Sequence, residues 1–370
     1  MGLGETAVES LVRADFWEGR RVLVTGHTGF KGGWLCLALQ GLGARVKGYA
    51  LAPDTESNFF EAVQLAEGMD SVIADVRDAG RVASEMRAFA PEVVFHLAAQ
   101  PLVRVSYEKP LETYMTNIMG TAHVLEAVRE TPTVRSVVVV TSDKAYENRE
   151  WTWGYREADA LGGHDPYSSS KGCAEIVTSA YARSFFANGH AGGRQVGIGS
   201  ARAGNVIAGG DWSRDRLVPD VVAAFRDGRT AMIRSPTSTR PWQHVLEPVF
   251  AYLTLAERLH DDGAAFAGAW NFGPAEDDVR TVREVTSMLA RHWNGASSWE
   301  ERVDPNAPHE ARQLKLDTSK ARTLLGWRPR WSLAEAVAAT VEWYQAEARD
   351  ADMRALSCAQ IERYRAVRAE

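Results

Sequence analysis

The chain has 370 residues, 45% hydrophobic and 24% charged, a composition that suits a folded enzyme and argues against extended disorder. A net charge of −6 offers no basic surface for nucleic acid, and no run approaches the roughly 20 apolar residues of a membrane span. The cysteines Cys36, Cys173 and Cys358 are scattered, with neither a disulfide framework nor metal-ligand spacing, so a cytoplasmic protein without a metal is expected.

Residues 1–17 read as a leader without the apolar stretch of a signal peptide. A strand is predicted over 21–25 and a helix over 32–42, followed by strands over 45–50 and 70–74. Next come a helix over 79–89, a strand over 93–97, a long helix over 111–130 and a strand over 136–141 with four consecutive valines. A helix over 167–186 and a strand over 196–202 continue the rhythm. Apolar strands separated by helices predict a parallel sheet covered on both faces, an α/β fold of Rossmann-type, doubly wound design.

Beyond residue 205 the elements shorten. Helices are expected over 245–259, 282–292 and 332–348, with a strand over 270–272. The division that follows is a dinucleotide domain over 1–204 and a smaller α/β substrate lobe over 205–349, with possible return segments to the core. A charged helical tail spans 350–370.

Gly26, Gly29 and Gly32 fall between the first strand and its helix. The first allows a tight turn, the second lets a pyrophosphate reach the backbone, and the third lets helix and strand pack closely. Gly26, Thr28, Gly29, Phe30 and Gly32 are therefore the expected phosphate contacts. The segment 49–54 holds no arginine and ends in Asp54, which favours NAD over NADP. Leu97, Ala98 and Ala99 would pass beneath the cofactor.

Tyr167 and Lys171 stand four apart on one helix face, and a lysine ammonium beside a phenol favours its ionisation. Ser142 ends the valine strand, with Asp143 and Lys144 directly after it. Oxidation of a sugar hydroxyl needs the serine, the tyrosine and the lysine. A further acid and amine at the sheet's C-terminal edge suit proton transfers beyond hydride movement.

Several runs together carry a resemblance. They are Gly26-His27-Thr28-Gly29-Phe30-Lys31-Gly32, Ala98-Ala99-Gln100-Pro101, Ser142-Asp143-Lys144-Ala145-Tyr146, Asp165-Pro166-Tyr167, Gly204-Asn205-Val206 and Arg240-Pro241-Trp242-Gln243-His244. On them the chain resembles the extended short-chain dehydrogenase/reductases, and within these the nucleotide-sugar 4,6-dehydratases that act on CDP-glucose. The Asp-Lys pair after the serine and the Arg-Pro-Trp-Gln-His run are its specific parts.

The resemblance implies bound NAD and conversion of CDP-glucose to its 4-keto-6-deoxy derivative, for deoxysugar and surface-polysaccharide synthesis. It implies that Asp75 meets the adenine amine, with Val76 and Thr116 also at the cofactor. Ser142, Asp143, Lys144, Tyr167 and Lys171 would be catalytic, with Lys144 either the C5 base or a charge partner of Asp143. Gln100, Arg104, Ser106, Ser142, Asn205, Arg216, Leu217, Arg240, His244 and His309 would meet the substrate. A homodimer through a four-helix bundle of helices 111–130 and 167–186 is expected, with a tetramer as the larger alternative. A 4-epimerase, another dehydratase of this family or a non-catalytic dinucleotide sensor are the competing readings.

Overall fold

In the computed structural model, which describes residues 12–187, 195–293, 297–302 and 313–367, the predicted strands form one parallel sheet. Its strands are β1 (Arg21–Thr25), β2 (Arg45–Ala50), β3 (Asp70–Ile73), β4 (Val93–His96), β5 (Ser136–Val140), β6 (Gly197–Ala203) and β7 (Gly268–Phe272), in spatial order 7-6-5-4-1-2-3. The order reverses at β1, which pairs with both β2 and β4, and the crevice at the C-terminal ends of β1 and β4 is where such sheets bind ligands.

Both faces of the sheet are dry. Val138 and Val140 enter one apolar cluster while Val137 and Val139 enter the other, the two-residue alternation of a strand. Each buried valine contributes roughly 1.5–3 kcal/mol. Trp34 and Leu35 from the helix Phe30–Gly41 cover the first face, and Val124 and Val128 from the helix Gly120–Glu130 cover the second.

The helix expected over 111–130 begins at Pro110 and carries a π turn over Met115–Met119. The helix expected over 167–186 runs Pro166–Tyr181 and ends in a π turn over Ala182–Phe186. Strand β7 brings the second half of the chain back into the main sheet. Three two-stranded pieces, one pairing Thr239–Arg240 with Arg280–Thr281, build the wall facing the crevice.

The tail is a docked helix, Met353–Ala366. The Tyr364 hydroxyl donates to the buried Glu247 carboxylate at 2.8 Å, and the Trp343 indole N–H donates to Ser357 at 3.0 Å. Among the described residues no helix is long and apolar enough to cross a membrane, and no His, Cys, Asp and Glu cluster suits a metal ion. The three cysteines are free.

Candidate active site

The turn after β1 is shaped by its glycines. Gly26 takes φ of +80°, and a Cβ there would stand 2.7 Å from the Ala98 nitrogen. A Cβ on Gly32 would land on the Gly26 carbonyl oxygen. At Gly29 the only neighbour would be that same oxygen at 3.4 Å, so this position alone leaves its backbone open to a ligand. Gly29 caps the helix Phe30–Gly41 without a side-chain acceptor, leaving the first-turn N–H groups for an anion. These features fit a dinucleotide pyrophosphate.

A cavity of about 1190 Å³ runs from this turn along the sheet edge. Gly26, Thr28, Gly29, Phe30, Gly32, Asp54, Asp75, Val76, Leu97, Ala98, Ala99 and Thr116 line it, as expected of the cofactor end. Asp75 already holds Arg77, accepting from its backbone N–H and its guanidinium at 2.8 Å each, which keeps the carboxyl below its ordinary range.

Further along lie Ser142, Asp143, Lys144, Tyr167 and Lys171. Asp165 accepts from the Ser168 N–H at 2.9 Å, and Pro166 occupies the first helical turn, so the helix carrying Tyr167 starts one residue before it. The phenol shares a hydrogen bond with Ser142. Ser142 Oγ donates to Asp143 Oδ1 at 3.0 Å and accepts from the Lys144 N–H at 3.2 Å, closing the turn Asp143–Ala145.

Burial dominates the electrostatics here. It pushes the Tyr167 phenol up to about 12, against the Ser142 hydrogen bond and the Arg216 charge. Lys171, expected to favour the phenolate, donates its ammonium to the Val140 carbonyl at 3.2 Å and is itself pushed down to about 8 by burial, with Glu175 opposing. Asp143 is also raised by burial, with Lys144, the Ser142 hydroxyl and Arg240 opposing. Its Oδ2 is buried and finds no hydrogen-bond partner among the described residues, facing the bare Cα of Gly204. Lys144 is half-buried on the wall.

The spacing argument missed Lys31. It follows Phe30 in the glycine turn, lines the same cavity and approaches the Tyr252 hydroxyl at 3.5 Å. Burial pushes its ammonium down to about 7, aided by Arg216 and Lys171 and opposed by Asp143. The signal was a lysine where an apolar residue would suit a helix packed on the sheet.

At the far end Arg104, Asn205, Arg216, Leu217 and Arg240 line the cavity. Arg216 donates to Asp211 at 2.8 Å, and Arg104 and Arg234 meet at Asp215 across 3.3 and 2.8 Å. Three residues expected at the substrate do not line the cavity. Ser106 is buried and donates to the Val103 carbonyl at 2.6 Å, inside its own helical turn. Gln100 is spent on the Leu102 carbonyl and the Thr113 hydroxyl at 3.1 and 2.9 Å. His244 is fully buried between Trp34 and Trp331 rings, its charge suppressed to about 3 by desolvation. His309 lies outside the described residues.

Comparison with known proteins gives this geometry a context. A family model described as GDP-mannose 4,6 dehydratase matches residues 23–340. The CDP-glucose 4,6-dehydratase of Salmonella typhimurium is 51% identical over 355 residues, 96% of this chain and 98% of that protein. A UDP-glucose 4-epimerase of Mycolicibacterium smegmatis is 29% identical across 88% of this chain and 98% of its own length. The dTDP-glucose 4,6-dehydratase DesIV of Streptomyces venezuelae, solved with NAD bound, superposes with a TM-score of 0.75 at 25% identity, covering 90% of this chain and 99% of that one.

Proposed function

Because this chain belongs to the NAD-dependent epimerase/dehydratase family, we infer its reaction from its site: CDP-glucose 4,6-dehydration, giving CDP-4-dehydro-6-deoxyglucose and water. The observation that carries this reading is Asp143, a buried carboxyl whose hold on its proton burial strengthens, its Oδ2 without a hydrogen-bond partner among the described residues and its Oδ1 accepting from Ser142. An epimerase needs no such acid.

The glycine turn and the free N–H groups of the helix after it would hold NAD, which supplies an acceptor for the hydride at C4 and a donor of the same hydride to C6. Tyr167 takes the proton of the C4 hydroxyl, with Ser142 sharing that hydrogen bond. Arg216 favours the phenolate, and Asp143 opposes it only while ionised, so a protonated Asp143 serves both steps. Lys144, or a water it orients, removes the C5 proton acidified by the C4 ketone. Asp143 gives its proton to the C6 oxygen, which leaves as water, and once C6 has regained the hydride the proton held at Lys144 or its water returns to C5. Arg216 and Arg240 neutralise the substrate diphosphate as fixed guanidinium forks, and Asn205 faces the sugar.

Incubating the pure protein with the CDP, UDP, dTDP and GDP forms of glucose and weighing the products tests this. Loss of one water from the CDP form is expected. Water loss confined to another nucleotide would move the substrate, and no loss from any would remove the reaction.

The same reading makes the chain a homodimer. Leu111, Met115, Met119, Ile176 and Phe185 leave apolar side chains exposed on the helices around Gly120–Glu130 and Pro166–Tyr181. Two copies would bury this stripe as a four-helix bundle, and a monomer in sedimentation at micromolar concentration would refute it. A cytoplasmic site of action accords with the free cysteines.

A further inference from the structure

A buried ion pair beneath the site is unused by the chemistry above. Glu175 lies one turn beyond Lys171 and two beyond Tyr167 on the same helix. Its carboxylate accepts from Arg202 Nη2 at 2.9 Å, from Ser200 Oγ at 2.6 Å and from the Thr141 hydroxyl. Arg202, on β6 and equally buried, donates from Nη1 to the Tyr146 hydroxyl at 2.7 Å, its guanidinium 4.7 Å from that ring's centre. The Tyr146 hydroxyl in turn donates to Asn271 Oδ1 on β7 at 2.7 Å.

Thr141 and Tyr146 are the residues just before Ser142 and just after Ala145. One ion pair therefore holds both ends of the turn that carries Ser142, Asp143 and Lys144, and it does so from the helix that carries Tyr167 and Lys171. A buried pair is a weak source of net stability, because desolvation of both charges offsets their attraction. A buried network of this kind, in which both terminal guanidinium nitrogens of Arg202 are partnered while its Nε is not, is instead suited to fixing a geometry.

We propose that Glu175 and Arg202 are positioning residues for water elimination, with the Arg202–Tyr146 arm setting Asp143 and Lys144 against the sugar that Tyr167 has engaged. The proposal rests on the dehydratase reading. The Tyr146 arm grips the far end of the turn, beyond Lys144, so loosening it displaces the acid and the amine more than it displaces Ser142. The Thr141 arm grips the near end and governs Ser142 and its hydrogen bond to the phenol. Oxidation at C4 and elimination across C5 and C6 thus have separate handles in one network.

The test uses the full chain loaded with NAD and given CDP-glucose. Tyr146→Phe removes one hydroxyl from the far arm. It is expected to lower kcat by about tenfold to hundredfold with KM within about twofold, the scale of a small misplacement of reacting groups. Reduced nicotinamide should build up during turnover, since oxidised sugar waits for its water to leave. Thr141→Val should instead slow the appearance of reduced nicotinamide.

An unchanged kcat for Tyr146→Phe, or a lowered one without accumulation of the reduced cofactor, overturns the proposal. Arg202→Lys keeps a charge against Glu175 while withdrawing from Tyr146 and is read the same way, so a Tyr146→Phe chain that does not fold still leaves a decisive variant. A wild-type chain that releases no water from CDP-glucose would defeat the dehydratase reading instead, and would do so before any variant is made.

Discussion

The two ends of the cavity are built on different principles. The cofactor end comes from consecutive β–α turns within the first hundred residues, and much of it is backbone: glycines, free N–H groups and small side chains. The substrate end is made of side chains from separate places, with Arg104 following β4, Asn205 and Arg216 following β6, and Arg240 on a two-stranded piece of the later lobe. Its arginines are held by acids, Asp211 and Asp215, that are distant from some of their partners in sequence. A site made of backbone depends on local steric fit, whereas a site made of side chains depends on tertiary assembly. Mutations should therefore fail in different ways at the two ends.

The largest effect is expected between the ends. Tyr167→Phe removes the proton acceptor for C4 and should lower kcat by about 10²–10⁴-fold with substrate binding retained. Near-wild-type turnover would assign the base elsewhere. Asp143→Asn keeps the shape of the turn but has no proton to give. Reduced nicotinamide should still form on adding CDP-glucose, while product formation drops by about 10²-fold or more. Because only protonated Asp143 can act, wild-type elimination should decline as pH rises through its elevated carboxyl value, and a rate independent of pH would count against that role.

The glycine turn offers the sharpest contrast. Gly32→Ala forces a Cβ onto the Gly26 carbonyl and should cost about 1–3 kcal/mol of stability, as overpacking does. Gly29→Ala meets only an oxygen at 3.4 Å, so the melting temperature should hold while NAD titration weakens. Equal losses of stability would erase the distinction drawn here. At the substrate end Arg216→Met should raise KM by about tenfold to hundredfold, the worth of a charge-assisted hydrogen bond, with little change in NAD affinity.

The same contrast explains what could be read from the chain. Strands β1 to β6, the glycine turn and the Tyr167–Lys171 pair were legible because each is a local pattern: an apolar run, a fixed spacing, a helical repeat. Ser106, Gln100 and His244 stood near motif residues and were expected at the substrate, yet each satisfies its polar atoms or buries its ring within the scaffold. Adjacency in sequence does not give direction in space. Lys31, and the Glu175–Arg202 pair under the turn Asp143–Ala145, depend on partners 25 to 221 residues away, such as Tyr252 for Lys31 and Ser200 for Glu175. No spacing rule encodes such partners. Burial likewise decided the direction of the Tyr167 shift, and burial belongs to the folded state.

Assembly of the substrate end should also answer to pH where the glycine turn does not. Glu247 lies seven residues after Arg240, at the start of the helix Leu246–Asp261, and is fully buried. It accepts from the backbone N–H groups of Arg330 and Trp331 at 2.9 and 2.8 Å and from the Tyr364 hydroxyl. These donors favour the carboxylate, but burial outweighs them and pushes the group up from 4.5 to about 7. Between those values the folded chain holds a proton that the unfolded chain has released, so stability falls as pH rises through this window, by up to about 3 kcal/mol. Below it, with both states protonated, the contribution is fully present. Glu247→Gln cannot titrate and should flatten that part of the profile in denaturant melts, while the docked helix Met353–Ala366 keeps its place through Tyr364. An unchanged slope in the variant would mean that the titration belongs to another group, and that the lobe carrying Arg240 is anchored independently of Glu247.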